Sequence, residues 1–365
     1  MQLRPRTLGW SAGLSLVLLV TIIISVGIGP VRISPVDIIK IFLNNIAIPT
    51  ISLDDTSNQS AGIPLLPIGL ELVSPFAYDV RGTYTTIVLN IRLPRILLAA
   101  LVGFALAIAG TVMQGFFRNP MADPSIIGVS SGAAVGAVAA ITLPFALPFG
   151  LELQAAAFVG GVVTAFVVYY IATEGGRTPV ATLLLAGIAV QTFLGAVISF
   201  MLLNAGSSLE EAVYWLMGHL HYASWSRVQV LLLILPLLII LLLAYGRDLN
   251  VLLLGEEEAH NLGIEVRRTK QILLGLSSIV TAMAVAVSGV IGFVGLIVPH
   301  MMRLIVGPDH RILLPTSALA GAIFLVAADT FARSGPGEIP VGIVTAAVGA
   351  PFFLYLLRRR RVYAL

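Results

Sequence analysis

Ten apolar stretches alternate with short polar segments along the chain. They lie at 8–31, 93–116, 125–144, 152–173, 181–204, 228–245, 271–289, 292–306, 312–333 and 339–357. Because an apolar helix of roughly 20 residues can cross a bilayer, the pattern predicts an all-α polytopic membrane protein with about ten transmembrane helices. The eighth stretch is short enough to be a partial or tilted span. Residues 1–365 are predicted to form a single transmembrane domain.

The longest polar interruption is 32–90, which we expect to be an extracytoplasmic loop. Its apolar and polar residues near 35–44 are spaced as in one short amphipathic helix. Within the third apolar stretch, Gly128, Gly132 and Gly136 repeat the small-xxx-small spacing that lets helix backbones approach closely. This spacing predicts tight helix packing.

Composition supports the membrane assignment and narrows the chemistry. The 365 residues are 58% hydrophobic and only 11% charged, whereas soluble domains carry about 25% charged residues. The absence of cysteine excludes disulfides and thiolate sites. Lys40 and Lys270 are the only lysines, and neither stands in a G-x-x-x-x-G-K-[ST] phosphate loop. If ATP drives this protein, a separate subunit must hydrolyse it, so we predict no enzymatic activity in this chain.

Charge distribution orients the ten stretches. With both termini in the cytoplasm, the cytoplasmic side carries fourteen arginines and lysines and the opposite side seven, in agreement with the positive-inside rule. The cytoplasmic set is Arg4, Arg6, Arg118, Arg177, Arg247, Arg267, Arg268, Lys270, Arg303, Arg311, Arg358, Arg359, Arg360 and Arg361. The opposite set is Arg32, Lys40, Arg81, Arg92, Arg95, Arg227 and Arg333.

One polar island, LGEEEAHNLGIEVRR at 254–268, falls on the cytoplasmic side. Ala259, Leu262, Gly263 and Val266 would share one face of a helix. Gly255 and Gly263 indicate two short helical pieces instead of one rod. The segment is either a surface connection between two spans or a docking helix pair for a cytoplasmic partner.

Three arginines, Arg92, Arg95 and Arg333, stand at extracytoplasmic span ends. They either reach lipid headgroups or form a basic patch for carboxylates of a soluble delivery protein. Asp329 precedes Arg333 by one helical turn, which predicts an intrahelical ion pair.

The apolar stretches contain few groups that could carry other chemistry. A proton relay would need several buried ionisable groups in series, and no metal-binding motif or catalytic arrangement stands out. An ATP-independent carrier or channel and an intramembrane enzyme are therefore disfavoured alternatives. The fifth stretch has Gln191, Thr192 and Ser199 among its polar positions, which suits a pathway for a bulky, partly apolar substrate.

Several motifs together resemble the FecCD family of permease subunits of type II ABC importers. They are RLPRILLAALVGFALAIAGTVMQGFFRNPMADPSIIGVSSGAAVGA, LLLAGIAV, GHL, LLGEEEAHNLGI, GFVGLIVPHMMRLIVGPDHRILLPTSALAGA, ADTFAR and EIPVGIVTAAVGAPFFLYLL. The resemblance runs from about Arg92 to Arg360. It implies an importer for iron–siderophore complexes, haem or cobalamin in the bacterial inner (plasma) membrane. The implied partners are a second permease copy or paralogue, two cytoplasmic ABC ATPase subunits that hold ATP and magnesium, and a periplasmic substrate-binding protein. Neither a cofactor of its own nor nucleic acid is implied.

The same resemblance assigns roles to individual residues. It makes residues 254–268, called the coupling segment from here on, the ATPase contact through Gly255, Glu256, Ala259, Leu262 and Gly263. Binding-protein docking is assigned to Arg92, Arg95 and Arg333. The start of the fifth stretch matches the cytoplasmic gate, where Val180 and Ala181 replace the hydroxyl side chains of the cobalamin permease, which weighs against cobalamin. We therefore expect an iron chelate, ferric siderophore or ferric citrate, as the substrate, with haem or cobalamin as the alternatives.

Overall fold

A computed structural model describes residues 3–46, 48–53, 68–143, 151–173, 178–335 and 337–358. Arg177, Arg359, Arg360 and Arg361, which entered the charge count, lie outside these residues, as does the middle of the predicted 32–90 loop. The described part is helical apart from one pair of strands.

The helices are α1 (Leu3–Gly27), α2 (Pro35–Asn44), α3 (Gly82–Thr86), α4 (Leu93–Phe116), α5 (Val129–Thr142), α6 (Glu152–Ala172), α7 (Val180–Leu203), α8 (Leu209–Leu216), α9 (Trp225–Ala244), α10 (Gly246–Leu252), α11 (Glu256–Asn261), α12 (Val266–Ser288), α13 (Val294–Val306), α14 (His310–Ala332) and α15 (Val341–Arg358). Seven of them are long and apolar enough to cross a membrane, and α5, α13 and α15 are shorter apolar helices. A helix therefore occupies each of the ten predicted stretches.

The predicted loop is more ordered than the polar pattern indicated. Helix α2 has the bounds of the predicted amphipathic helix, and the hydroxyl of Ser34, directly before it, accepts a hydrogen bond from the Asp37 N–H as an N-cap. Strands β1 (Ile48–Leu53) and β2 (Ile68–Val73) pair antiparallel with Ile48 opposite Val73, so the all-α prediction is wrong in this segment. A π-helical segment, Ile87–Arg92, joins α3 to α4, so the second span begins well before residue 93.

Helix α4 forms the centre of the bundle and is buried over most of its circumference. It packs on α14 where Gly103 faces Gly321 and on α13 where Gly110 faces Gly295, and at both crossings a Cβ atom would strike backbone of the other helix. Small residues at such crossings allow the close backbone approach that stabilises helix pairs in lipid.

The glycine spacing correctly predicted close packing, although Gly128 precedes α5 and packs on the Thr164 side chain and not on backbone. Cβ atoms on Gly132 and Gly136 would strike the backbone of α6 at Gly160 and Ala156. Gly128 instead takes a left-handed φ of 84° and ends a 3-10 turn before α5, a conformation that glycine adopts without steric cost.

Candidate functional site

The coupling segment lies at one end of the bundle and breaks at its two glycines as predicted. It contains one short helix, α11, and the first residues of the long helix α12, so the prediction of two short pieces is wrong for the second piece. Helix α10 precedes it, α11 begins after Gly255 at a φ of 132°, and Gly263 at a φ of 85° separates α11 from α12. A side chain at either glycine would strain the backbone. Three glutamates in the first turn of α11 match the positive end of its helix dipole.

The predicted common face of Ala259, Leu262, Gly263 and Val266 does not form on one helix. Helix α11 ends at Asn261, the Ile264 N–H returns to the Ala259 carbonyl at 3.0 Å, and Val266 opens α12. Ala259 is fully buried within the chain, so the expectation that its side chain makes an outside contact is wrong for this structure. Leu262, by contrast, is 62% exposed, which leaves a large apolar side chain pointing away from the bundle.

One polar cluster anchors the coupling segment to the spans, and a second anchors helix α10, which directly precedes it. Lys270 pairs with Glu256 and lies 5.3 Å from the ring centre of Phe116 at the end of α4. Asp309 caps α14 and accepts a hydrogen bond from Asn250 of α10 at 2.7 Å. Hydrogen bonding by Arg311 is the main reason why the pKa of Asp309 falls to about 2, so this carboxylate stays charged at any physiological pH.

A groove of about 920 Å³ brings the coupling segment and the start of the predicted gate together. Glu256, His260 and Gly263 line one side, and Thr178 and Pro179, just before α7, line the other. The groove therefore places α11 across from the residues that precede Val180 and Ala181.

Helix α7 carries the predicted pathway residues, and they divide into two groups. Thr192 and Ser199 lie on its exposed side, where each hydroxyl donates to the carbonyl four residues earlier. Gln191 instead donates to the Ile126 carbonyl at 2.6 Å and holds the turn before α5. Val180 is partly buried and Ala181 is exposed. Only Leu183 and Gly187 of α7 are buried, so most of this helix is free to face a pathway or another subunit.

At the opposite end, Arg92, Arg95 and Arg333 do not form an exposed patch. All three are buried, and their guanidinium groups bond within the chain. Burial of an arginine in an apolar bundle is tolerated where carboxylates and carbonyls satisfy it. For these side chains to contact lipid headgroups or a docking partner, the hydrogen bonds that their guanidinium groups make within the chain would have to open.

Arg95 and Arg333 share the carboxylate of Asp329. Arg95 Nε donates to Oδ1 at 3.0 Å, and Arg333 Nε lies 3.4 Å from Oδ2, which confirms the predicted pair of Asp329 with Arg333. Arg95 Nη1 also reaches Glu338 at 2.8 Å, and Glu338 contacts His221 Nδ1 at 2.9 Å. Burial favours a higher pKa for Glu338, but the hydrogen bond and charge of Arg95 outweigh it and hold the pKa below its ordinary value.

The end of α1 explains why the other arginine donors point inward. Arg92 donates to the Val26 carbonyl at 2.7 Å, and Arg333 donates to the Ser25 and Ile28 carbonyls at 2.6 and 2.8 Å. The last carbonyls of a helix lack partners within it and carry partial negative charge, so two arginines cap α1. The sequence did not predict that this cluster includes Glu338, His221 and the carbonyls of α1. No local spacing connects these groups to the arginines.

A bundle of apolar helices around α4, seven of which are long and apolar enough to cross a bilayer, defines a polytopic membrane protein. The chain belongs to the FecCD transport family, whose model matches residues 16–359.

Its relatives are transport permeases. It is 54% identical over 365 residues to the cobalamin import system permease protein BtuC of Halobacterium salinarum, covering 99% of this chain and 98% of that protein. It is 49% identical over 280 residues to the hemin transport system permease protein HmuU of Yersinia pestis, covering 75% of this chain and 83% of that protein. A solved metal-chelate type ABC transporter in an inward-facing conformation matches with a TM-score of 0.76 at 31% identity, over 96% of this chain and 98% of that chain.

Proposed function

We propose that this chain is the permease subunit of an ATP-driven importer that moves a large metal chelate into the cytoplasm by alternating access. It would cross the bacterial inner membrane ten times with both termini in the cytoplasm, as the positive-inside count favours. Two ABC ATPase subunits, a second permease copy or paralogue and a substrate-binding protein would complete the importer.

The observation that carries this proposal is the groove between the coupling segment and the residues that precede α7. Exposed Leu262 offers an apolar anchor to an ATPase. The Glu256–Lys270 pair joins the segment to α12 beside Phe116 of α4, and Asp309 ties α10, which directly precedes the segment, to α14. Displacement of α11 by the ATPase would therefore be transmitted to the gate at Val180 and Ala181.

The role of Leu262 leads to a direct test. Leu262→Arg removes the apolar anchor and adds a charge that a hydrophobic cleft cannot solvate. We expect the variant chain to insert normally but to bind the ATPase about tenfold or more weakly, measured by co-purification at graded ATPase concentration. Leu209→Arg makes the same change on an exposed residue of α8, which follows the far end of α7, and should leave ATPase binding intact. Equal ATPase binding by both variants would contradict the coupling role.

Cobalamin is the first substrate to test, because the cobalamin permease relative is 54% identical along nearly the whole of both chains. Ferric citrate and haem follow, since permeases for these chelates are 41% and 49% identical over about three quarters of this chain. The apolar side chains of Val180 and Ala181 weigh against cobalamin, whereas the identity to the cobalamin permease favours it. Stimulation of ATP hydrolysis by loaded binding proteins decides between these two expectations.

We expect the reconstituted importer to hydrolyse ATP severalfold faster with the binding protein loaded with its own chelate than with the empty protein. Cobalamin-, haem- and ferric-citrate-binding proteins should be compared at equal concentration. Stimulation by the cobalamin-loaded protein alone would support the first choice. Stimulation by a ferric chelate alone would restore the iron prediction, and the absence of stimulation by all three would contradict the proposed substrate class.

A further inference from the structure

A groove of about 290 Å³ runs between α6 and α9, with α12 as its floor. Each helix contributes apolar side chains to its walls. They include Phe158 of α6, Val230 and Ile234 of α9, and Met283 and Val287 of α12. An elongated apolar groove of this kind accepts a hydrocarbon chain.

The groove opens onto a surface that faces hydrocarbon. Helices α6 and α9 are candidate spans of which only 33% and 22% is buried in the chain. Their exposed side chains beside the groove are large and apolar, for example Val159, Val163, Leu233 and Leu237. In a membrane protein such a surface contacts lipid tails.

Arg227 lies at one end of the groove, in the first turn of α9. Its carbon atoms form part of the apolar lining. No carboxylate among the described residues forms an ion pair with its guanidinium. The side-chain amide of Gln154, also in the lining, lies 2.9 Å from Arg227 Nη2, and assigning its oxygen to the nearer position lets it accept a hydrogen bond from the guanidinium. The positive end of the α9 dipole adds to the same field. Trp225, two residues earlier, is a residue type typical of the membrane–water interface.

We propose that this groove binds a single phospholipid, with one acyl chain between α6 and α9 and its phosphate on Arg227. The cation lies at one end of an apolar groove, which matches a molecule with an anionic head and a hydrocarbon tail. A free phosphate would use only Arg227 and leave the apolar walls uncovered. A second copy of the chain would need an anionic group for Arg227 as well as apolar cover.

The test measures lipid retained by the full-length chain. Wild type and variants are reconstituted in nanodiscs of phosphatidylglycerol and phosphatidylcholine, extracted in mild detergent and analysed by native mass spectrometry. We expect wild type to retain one phospholipid and Arg227→Gln to retain about tenfold less, because the charge-assisted contact is lost. Ala155→Phe, which narrows the groove from α6, should also reduce retention.

Arg81→Gln is the matched control, since it removes an exposed arginine that lies over the Tyr84 ring outside the groove. It should retain the lipid. Thermal unfolding of each variant verifies that lost lipid does not reflect lost fold. Because the chain has no cysteine, Ile234→Cys can be introduced alone to detect contact between copies.

Three results would overturn the proposal. Equal retention by wild type, Arg227→Gln and Ala155→Phe would show that the groove holds no specific lipid. Displacement of the lipid by inorganic phosphate at millimolar concentration would identify a site for free phosphate. Efficient disulfide formation between Ile234→Cys chains would show that a second copy covers the groove.

Discussion

Replacing Asp329 by alanine is expected to lower the free energy of unfolding by about 3–5 kcal/mol, the cost of removing one partner from a buried ion pair. Asp329 is fully buried and balances two guanidinium groups, at 3.0 Å from Arg95 and 3.4 Å from Arg333. In Asp329→Ala, Arg95 retains Glu338. Arg333 retains only uncharged partners, the Ser25 and Ile28 carbonyls and the Ser25 hydroxyl, and loses its ion-pair partner.

The measurement is denaturant-induced unfolding in detergent micelles, followed by a loss of helical circular dichroism. Glu338→Gln is the matched control, because it also removes a carboxylate from Arg95 but at a side chain that is 32% exposed. Water can replace a partner at such a site, so we expect a loss of about 1 kcal/mol or less. If Asp329→Ala is no less stable than Glu338→Gln, the buried carboxylate does not stabilise the contact of α4 with α14.

The sequence was sufficient for the elements whose causes are local. Apolar runs predicted the ten helical positions, and Gly255 and Gly263 predicted the breaks around α11. The pair of Asp329 with Arg333 followed from helical spacing alone. Each of these features depends on residues a few positions apart. Local composition and helical periodicity are therefore sufficient to predict them.

Features that depend on distant residues were not predictable in this way. Arg95 pairs with Asp329, 234 residues away, and Arg333 caps a carbonyl of α1 at Ser25, 308 residues away. The position of the three arginines at span ends predicted a docking patch. That position does not show which groups of other helices bond to their guanidinium groups. Ala259 was assigned to a contact face for a similar reason, since its burial depends on how α11 packs on its neighbours.

The glycines of α4 also contact residues that are distant in sequence, since Gly110 meets Gly295 of α13. Gly110→Val should destabilise the protein by about 3 kcal/mol or more, beyond the usual range for an oversized side chain in a packed core. The first added carbon would strike the Gly295 carbonyl and Cα of α13. Since these are backbone atoms, no rotamer change can relieve the overlap, and α13 must move away from the central helix.

Gly13→Val in α1 provides the matched control, because nothing lies within 4 Å of a Cβ atom at Gly13. Exposed helix positions respond to this exchange only through helix propensity, which differs by a few tenths of a kcal/mol between glycine and valine. Thermal unfolding and the yield of monodisperse protein compare the two variants directly. Retention of wild-type stability by Gly110→Val would mean that α4 and α13 are not in backbone contact. The centre of the bundle would then differ from the arrangement that links the coupling segment to the spans.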